Sequence, residues 1–242
     1  MSRFYWRETE EFNLFERFRN VRGREEWRHF LEQLLRFISR TDVARHEIYG
    51  ELHQLFDGYV RSLDDAQRKS SVKECCVFIS HKRCDVQFAS RIAWIAVREG
   101  FDYWLDVEDP VLPAIAGASM PSPLKEILVA AIVEIALLNA THLIAVHTPQ
   151  SHRSMWVPYE LGRAKSRDIW SSQVSGWFEP GQTPIAGEYT YLMERLQSRL
   201  DIERWLRSQP VNRPGYCSRP KLGKIWPGSE PPPLQGEADA SS

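Results

Sequence analysis

Trp156 and Glu160, in the segment Ser154-Met155-Trp156-Val157-Pro158-Tyr159-Glu160-Leu161, stand four residues apart. In a helix that spacing puts a flat ring and an anion on one face, where both can line a single pocket. Lys82 and Arg83 follow the apolar run Val77-Phe78-Ile79-Ser80, and two cations at a strand end can meet a phosphate. A plainer role is open to each of these residues. Glu160 could pair on the surface with Arg163 or Lys165. Trp156 could be a core aromatic, Ser80 and Asp85 could turn the chain and cap a helix, and Lys82 and Arg83 could be solvated. No Walker loop, GxGxxG, HExxH or GxSxG is present, which removes the commonest nucleotide and hydrolase templates. The seven histidines lack metal-ligand spacing, so no metal site is expected. His142 and His147 flank an apolar run and read as structural.

The elements that must position these residues alternate. Cys75 to Ser80 is a short β-forming run suited to a strand buried on both faces. Asp85 can cap a helix carrying Phe88, Ile92, Ile95 and Ala96, which Gly100 ends. Phe101–Leu105 reads as a second strand, and the proline-containing stretch Asp106–Ser122 as a long loop. A helix over about Pro123–Leu138 leads to a third strand, His142–Val146, and another helix covers roughly Met155–Arg167. Short strands near Val174 and Ile185, then helices around Tyr189–Leu200 and Ile202–Leu206, complete the reading. Such alternation predicts an α/β fold, a doubly wound and mostly parallel sheet flanked by helices. Its ligands bind beyond the carboxyl ends of the strands, here Ser80–Asp85, Asp106–Ser122 and Thr148–Ser154.

Residues 1–70 form an N-terminal helical extension. The stripes Phe30/Leu31/Leu34/Leu35/Ile38 and Leu52/Leu55/Phe56/Tyr59 predict an amphipathic αα-hairpin. Residues 72–206 are the main domain, and 207–242 a largely irregular tail. Seven of the 15 prolines fall between Pro210 and Pro233, so the tail is expected to be extended or disordered, with Trp226 the residue able to dock. The 242 residues carry 31 basic and 32 acidic side chains, and the first 70 hold 13 of each. That balance argues against nucleic acid as a partner. The longest apolar run, Ile127–Leu138, is broken by Glu134 and suits a core helix, so no membrane span is expected. The N-terminus shows no secretion signal, and the four cysteines form no CxxC pair. Reduced thiols in a cytoplasmic protein are expected.

Three segments stand together in order: Val77-Phe78-Ile79-Ser80-His81-Lys82-Arg83-Cys84-Asp85, then Trp104-Leu105-Asp106, then Ser154 to Leu161. The combination resembles the Toll/interleukin-1 receptor (TIR) family over about 135 of the 242 residues. That family's first strand commonly reads apolar-Phe-Ile-Ser, followed by polar residues and Asp. Its second strand ends in Trp-x-Asp before a long loop, and a later helix carries Ser-x-Trp-x-x-x-Glu-Leu. The chain departs from the pattern in its proline-rich loop after Asp106, where Gly117 comes late. Pro158 fits a helix that begins near Trp156. The resemblance implies a flavodoxin-like TIR fold.

Many members of the family are scaffolds, while others cleave NAD between nicotinamide and ribose. In the enzymatic members the glutamate of Trp-x-x-x-Glu is required, which implies Glu160 as catalytic residue and Trp156 as a stacking surface for the ligand. Ser80, His81, Lys82, Arg83 and Asp106 are the further expected substrate contacts. NAD is then a substrate, and no cofactor is implied. The products would be nicotinamide and linear or cyclic ADP-ribose. Self-association through TIR surfaces, and a separate effector protein sensing the product in antiphage defence of the Thoeris kind, also follow from the resemblance. The alternative is a non-catalytic adaptor acting through TIR–TIR assembly. The chemistry agrees with the enzymatic reading. Loss of nicotinamide builds positive charge on the ribose, as in glycoside cleavage. A nearby carboxylate can accept hydrogen bonds from the ribose hydroxyls and stabilise that charge. Nicotinamide leaves from an already cationic state, so a second, protonating carboxylate is not obligatory.

Overall fold

The computed structural model describes residues 75–109, 111–117, 122–151, 154–165, 173–181 and 188–210, together with His29, Trp226, 228–234 and Glu237. The expected N-terminal hairpin lies outside the described residues, His29 excepted. The chain divides into two compact units, Met1–Ser70 with Asp109–Leu138 and Ser71–Glu108 with Asn139–Ser242.

The second unit contains the sheet. Strands β1 (Cys76–Ser80), β2 (Asp102–Trp104), β3 (His142–His147), β4 (Val174–Phe178) and β5 (Glu194–Leu196) pair in the order β2-β1-β3-β4-β5. Every pairing is parallel. The α-helices among described residues 75–210 are α1 (Val86–Arg98), α2 (Val111–Gly117), α3 (Ser122–Asn139), α4 (Trp156–Lys165) and α5 (Arg199–Ser208). This is the expected doubly wound α/β architecture. The strand order reverses between β1 and β3, which opens a crevice beyond their carboxyl ends.

Side-chain alternation along the strands separates two layers. Val77, Ile79, Ile144, Val146 and Trp177 pack with Ile92 and Ile95 of α1 and with Ile202, Trp205 and Leu206 of α5 in one buried cluster. Phe78, Leu143 and Ala145 point the other way. On that side α4 lies against β1, β3 and β4 and buries Val157, Leu161 and Ala164. Gly100, at φ 79°, ends α1 as expected. Phe101 N–H reaches Ala96 O at 2.9 Å and Gly100 N–H reaches Val97 O at 3.0 Å, the paired bonds of a left-handed helix terminus.

The structure differs from the sequence reading in five places. The stretch after Asp106 is not all loop, because it contains a 3-10 turn at Asp106–Glu108 and the helix α2. Pro113 is tolerated there because it sits in the first turn, where a missing N–H breaks no helical bond. Glu194–Leu196 is a strand rather than part of a helix, and only Leu196 of its three residues is buried. An edge strand so short and charged has no readable period. Asp85 occupies the position before α1, but its side chain makes no capping bond. Cys75 is fully buried and disulfide-bonded, while Cys76 and Cys84 are free thiols.

The tail gives the fifth difference. In its described part, Trp226, 228–234 and Glu237, the backbone is irregular yet docked. Leu234 is 2% exposed within the α1/α5 cluster, and Trp226 stacks on Tyr103 with ring centroids 5.3 Å apart. Single anchors of this kind leave no periodic signal.

Within the first unit, Lys125 Nζ at the start of α3 donates to Ala116 O of α2 at 2.9 Å. Ile127, Leu128, Ala131, Ile132, Ala136 and Leu137 of α3 are buried, as a core helix requires. Among the described residues no helix is long and apolar enough to cross a membrane.

Candidate active site

Ser80 is the last residue of β1, 1% exposed, and is paired in register with Ala145 of β3. Ser80 and Phe78 share the sheet face that α4 covers, so the Ser80 hydroxyl is turned toward that helix. The loop between β3 and α4 is built from side-chain to backbone bonds. Thr148 N–H donates to Ser151 Oγ at 3.1 Å, Ser151 Oγ–H to Thr148 O at 3.0 Å, and Ser151 N–H to Thr148 O at 3.1 Å. Ser154 Oγ then accepts from Val157 N–H at 3.3 Å, which helps to satisfy the start of α4. The helix begins at Trp156, as the position of Pro158 requires.

One turn further on, Glu160 points inward. It is 7% exposed, and its Oε2 accepts a short hydrogen bond from Ser80 Oγ. That burial excludes the surface-pair role. Burial pushes the Glu160 carboxyl up to about 7, with the bond from Ser80 opposing the shift and the negative charge of Asp106 adding to it. Asp106 begins the 3-10 turn after β2 and is half-exposed. His81 lies beside it, with Nε2 3.4 Å from Asp106 Oδ1 and Nδ1 3.3 Å from the Ile79 carbonyl. The structure therefore brings Ser80, His81, Asp106 and Glu160 together beyond the ends of β1, β2 and β3.

No protein-family model matches the chain, and no curated protein matches it.

The remaining expected contacts stand further out. Lys82 Nζ donates to Gln150 O at 3.1 Å, tying the loop after β1 to the loop after β3. Arg83 is exposed. Trp156 is 42% exposed and packs edge-to-face on Tyr159, with centroids 5.8 Å apart, so it is not a core residue. Helical spacing places it on the face of Glu160, and tertiary packing leaves it open to solvent at the head of α4.

Two features escaped the sequence reading. Asp85, 3% exposed, accepts from Thr148 Oγ1 at 3.0 Å and so joins the loops after β1 and β3. His147 ends β3 on the α4 face and is stacked on Phe178 with centroids 4.6 Å apart. Burial, then the positive charge of Arg195, hold its ring well below the usual range, at about 4. His147 belongs to no motif, and Asp85 closes the first of the three segments, where only a turn or a cap was expected of it. Among the described residues no group of three or more His, Cys, Asp or Glu is placed to hold a metal ion.

Proposed function

We propose that the chain is a TIR-type enzyme that cleaves the nicotinamide–ribose bond of NAD, with Glu160 as its catalytic residue. The observation that carries this reading is the buried Glu160 carboxyl, held by Ser80 beside Asp106 at the crevice where the sheet reverses. Doubly wound sheets bind their ligands at that place. A carboxyl desolvated by the protein and faced by a second carboxyl is a costly arrangement in structural terms, and it is suited to a cationic transition state.

In the reaction the C1′–N bond breaks and its electron pair leaves with nicotinamide. Ionised Glu160 offsets the positive charge that develops on the ribose. The half-exposed Trp156 ring is available for stacking on the ligand, and Lys82 and Arg83 for the pyrophosphate. NAD is the substrate and no cofactor is needed. The product, linear or cyclic ADP-ribose, serves as a signal to a separate effector in antiphage defence. The enzyme self-associates through TIR surfaces.

The adaptor reading draws on the same helix. Met155, Trp156 and Tyr159 are 86%, 42% and 43% exposed, an apolar group suited to contact with another protein. Nicotinamide release from NAD by the purified full-length chain, followed from nanomolar to high micromolar protein, decides between the two. The enzyme reading expects release that Glu160→Gln abolishes. Release that is absent throughout that range, or equal in the variant, overturns it.

A further inference from the structure

The His81 ring has no task in the mechanism above. Its side chain is 2% exposed, whereas that of Asp106 is 42% exposed. Ring and carboxylate are ordered by a relay of contacts that begins in the sheet. The Ile79 carbonyl lies 3.3 Å from Nδ1 and fixes the ring plane, and because carbonyl and carboxylate both only accept, the ring bridges Ile79 to Asp106 in the form that carries a proton on each nitrogen. Nε2 is thereby aimed at Asp106 Oδ1, 3.4 Å away. Both atoms are buried and neither has a hydrogen-bond partner, so the two face each other as a close charge-pair contact. With Oδ1 turned inward and the side chain partly exposed, Oδ2 is the oxygen of Asp106 that faces outward. Asp106 is also close enough to Glu160 for its charge to act on that carboxyl. A second carboxylate, oriented by a buried imidazole, therefore stands beside the first at the mouth of the crevice.

We infer that Asp106 is a catalytic base for the acceptor in the hydrolysis of NAD, and that His81 is the positioning residue that holds it. The inference rests on the NAD-cleaving reading and adds a division of labour between the two carboxylates. Glu160 stabilises the ribosyl cation after nicotinamide has left. Asp106 Oδ2 takes the proton of a water molecule as the water oxygen bonds to C1′, and that proton then passes to solvent. The C1′–N bond has broken with its pair on nicotinamide, so charge and atoms balance without any further reactant. The alternative partner for the ribosyl cation is nicotinamide itself, which returns through a nitrogen lone pair and carries no proton to remove. Asp106 is therefore needed for hydrolysis and not for exchange of nicotinamide.

The test measures two rates on the full-length protein at high micromolar concentration: hydrolysis of NAD, and incorporation of isotopically labelled nicotinamide into NAD. Asp106→Asn is expected to slow hydrolysis by about 100-fold, the scale of a lost general base, and to raise the ratio of exchange to hydrolysis by about tenfold or more. His81→Leu keeps much of the buried volume but removes the ring, and it should shift the ratio of exchange to hydrolysis in the same direction. His81→Gln retains a donor that can reach Asp106, and it should restore much of the ratio. Melting curves on each variant identify any loss of fold, and if His81→Leu does not fold, Asp106→Asn alone still decides the role of the base. Equal loss of both rates in Asp106→Asn overturns this inference and leaves NAD cleavage by Glu160 standing. A His81→Leu protein that folds with an unchanged ratio overturns the positioning role. A wild-type protein that releases no nicotinamide overturns the NAD-cleaving reading and this inference with it.

Discussion

Arg91 and Glu160 are buried to a similar degree, 3% and 7% exposed, on helices that cover opposite faces of one sheet. Their surroundings are opposite in kind. Arg91 donates to Glu237 Oε1 at 2.6 Å, to Glu230 Oε1 at 2.6 Å and to the Pro231 carbonyl at 3.0 Å, and its guanidinium lies 4.0 Å from the centre of the Trp94 ring. Arg199 joins the same carboxylate, with Nη1 3.2 Å from Glu237 Oε1. Every charge in that cluster meets its opposite. Glu160 has one hydroxyl and the field of another carboxylate. A matched buried charge costs little once formed, whereas an unmatched one costs stability for as long as it is ionised. The first arrangement fastens the tail to the core, and the second keeps a reactive group poised. A charge that weakens the fold is therefore the better candidate for function.

Glu160→Gln carries the largest expected effect and tests that contrast directly. NAD cleavage should fall by at least about 100-fold. The folded state should gain stability at pH 8, because a buried ionised carboxylate is replaced by a neutral amide. The shift from 4.5 to about 7 sets a ceiling of about 3 kcal/mol on that gain. Urea denaturation at pH 8 reads it, and a marked loss of stability there would show that the two regions are alike.

Ending the chain before Trp226 should act with the opposite sign. It removes Leu234 from the core and leaves Arg91 buried without a partner, which should lower stability by about 3 kcal/mol or more. Glu237→Ala alone should cost less, since Glu230 remains beside Arg91. Unchanged thermal melting of the shortened chain would mean that the docked tail adds nothing.

The pH dependence sharpens the comparison further. Glu160 has a folded value near 7 against the usual 4.5, so it costs stability as pH rises from about 4.5 to 7. His147 has a folded value near 4 against the usual 6.5, so the unfolded chain binds the proton more readily and stability is lost as pH falls from about 6.5 to 4. The two trends oppose each other over a shared window. Glu160→Gln should therefore expose the loss at low pH, and His147→Leu the loss at high pH, each by at most about 3 kcal/mol relative to wild type. Other titrating groups, Asp201 and Glu237 among them, are common to all three proteins and drop out of the differences. Parallel pH curves for the three would overturn the assignment of either group.

Ser80→Ala should have the smallest effect. It removes the one bond that holds the Glu160 carboxyl down, so the pH at which kcat/KM rises should move upward by about 0.5–1 unit, equivalent to roughly 1 kcal/mol. A downward movement would assign Ser80 a different role.

Strands β1 and β3 were legible because parallel strands buried on both faces leave unbroken apolar runs, as in Val77-Phe78-Ile79 and Leu143-Ile144-Ala145-Val146. The start of α4 was legible from Pro158, and Glu160 and Trp156 from their spacing. Strand β5 was not, because three residues with one buried side chain carry no period, and its neighbours Arg199–Ser208 are helical. Helix α2 was hidden by Pro113, which its first turn accommodates. The roles of Asp85 and Thr148 were also hidden, since the two residues are 63 positions apart and meet only where their strands are neighbours.

Local sequence determined which segments alternate as strand and helix, and it placed Trp156 and Glu160 on one helical face, because those properties depend on residues within a turn or two. It did not determine which of the two would be buried. Glu160 is enclosed and Trp156 left open because of how α4 lies on β1 and β3, and the hydroxyl that holds Glu160 comes from 80 residues earlier. The same packing brings Asp106 and His81 from the ends of two other segments to the crevice. Desolvation and the fields of neighbouring charges act through space rather than along the chain, so only the tertiary structure could turn an ordinary carboxylate into one poised near pH 7.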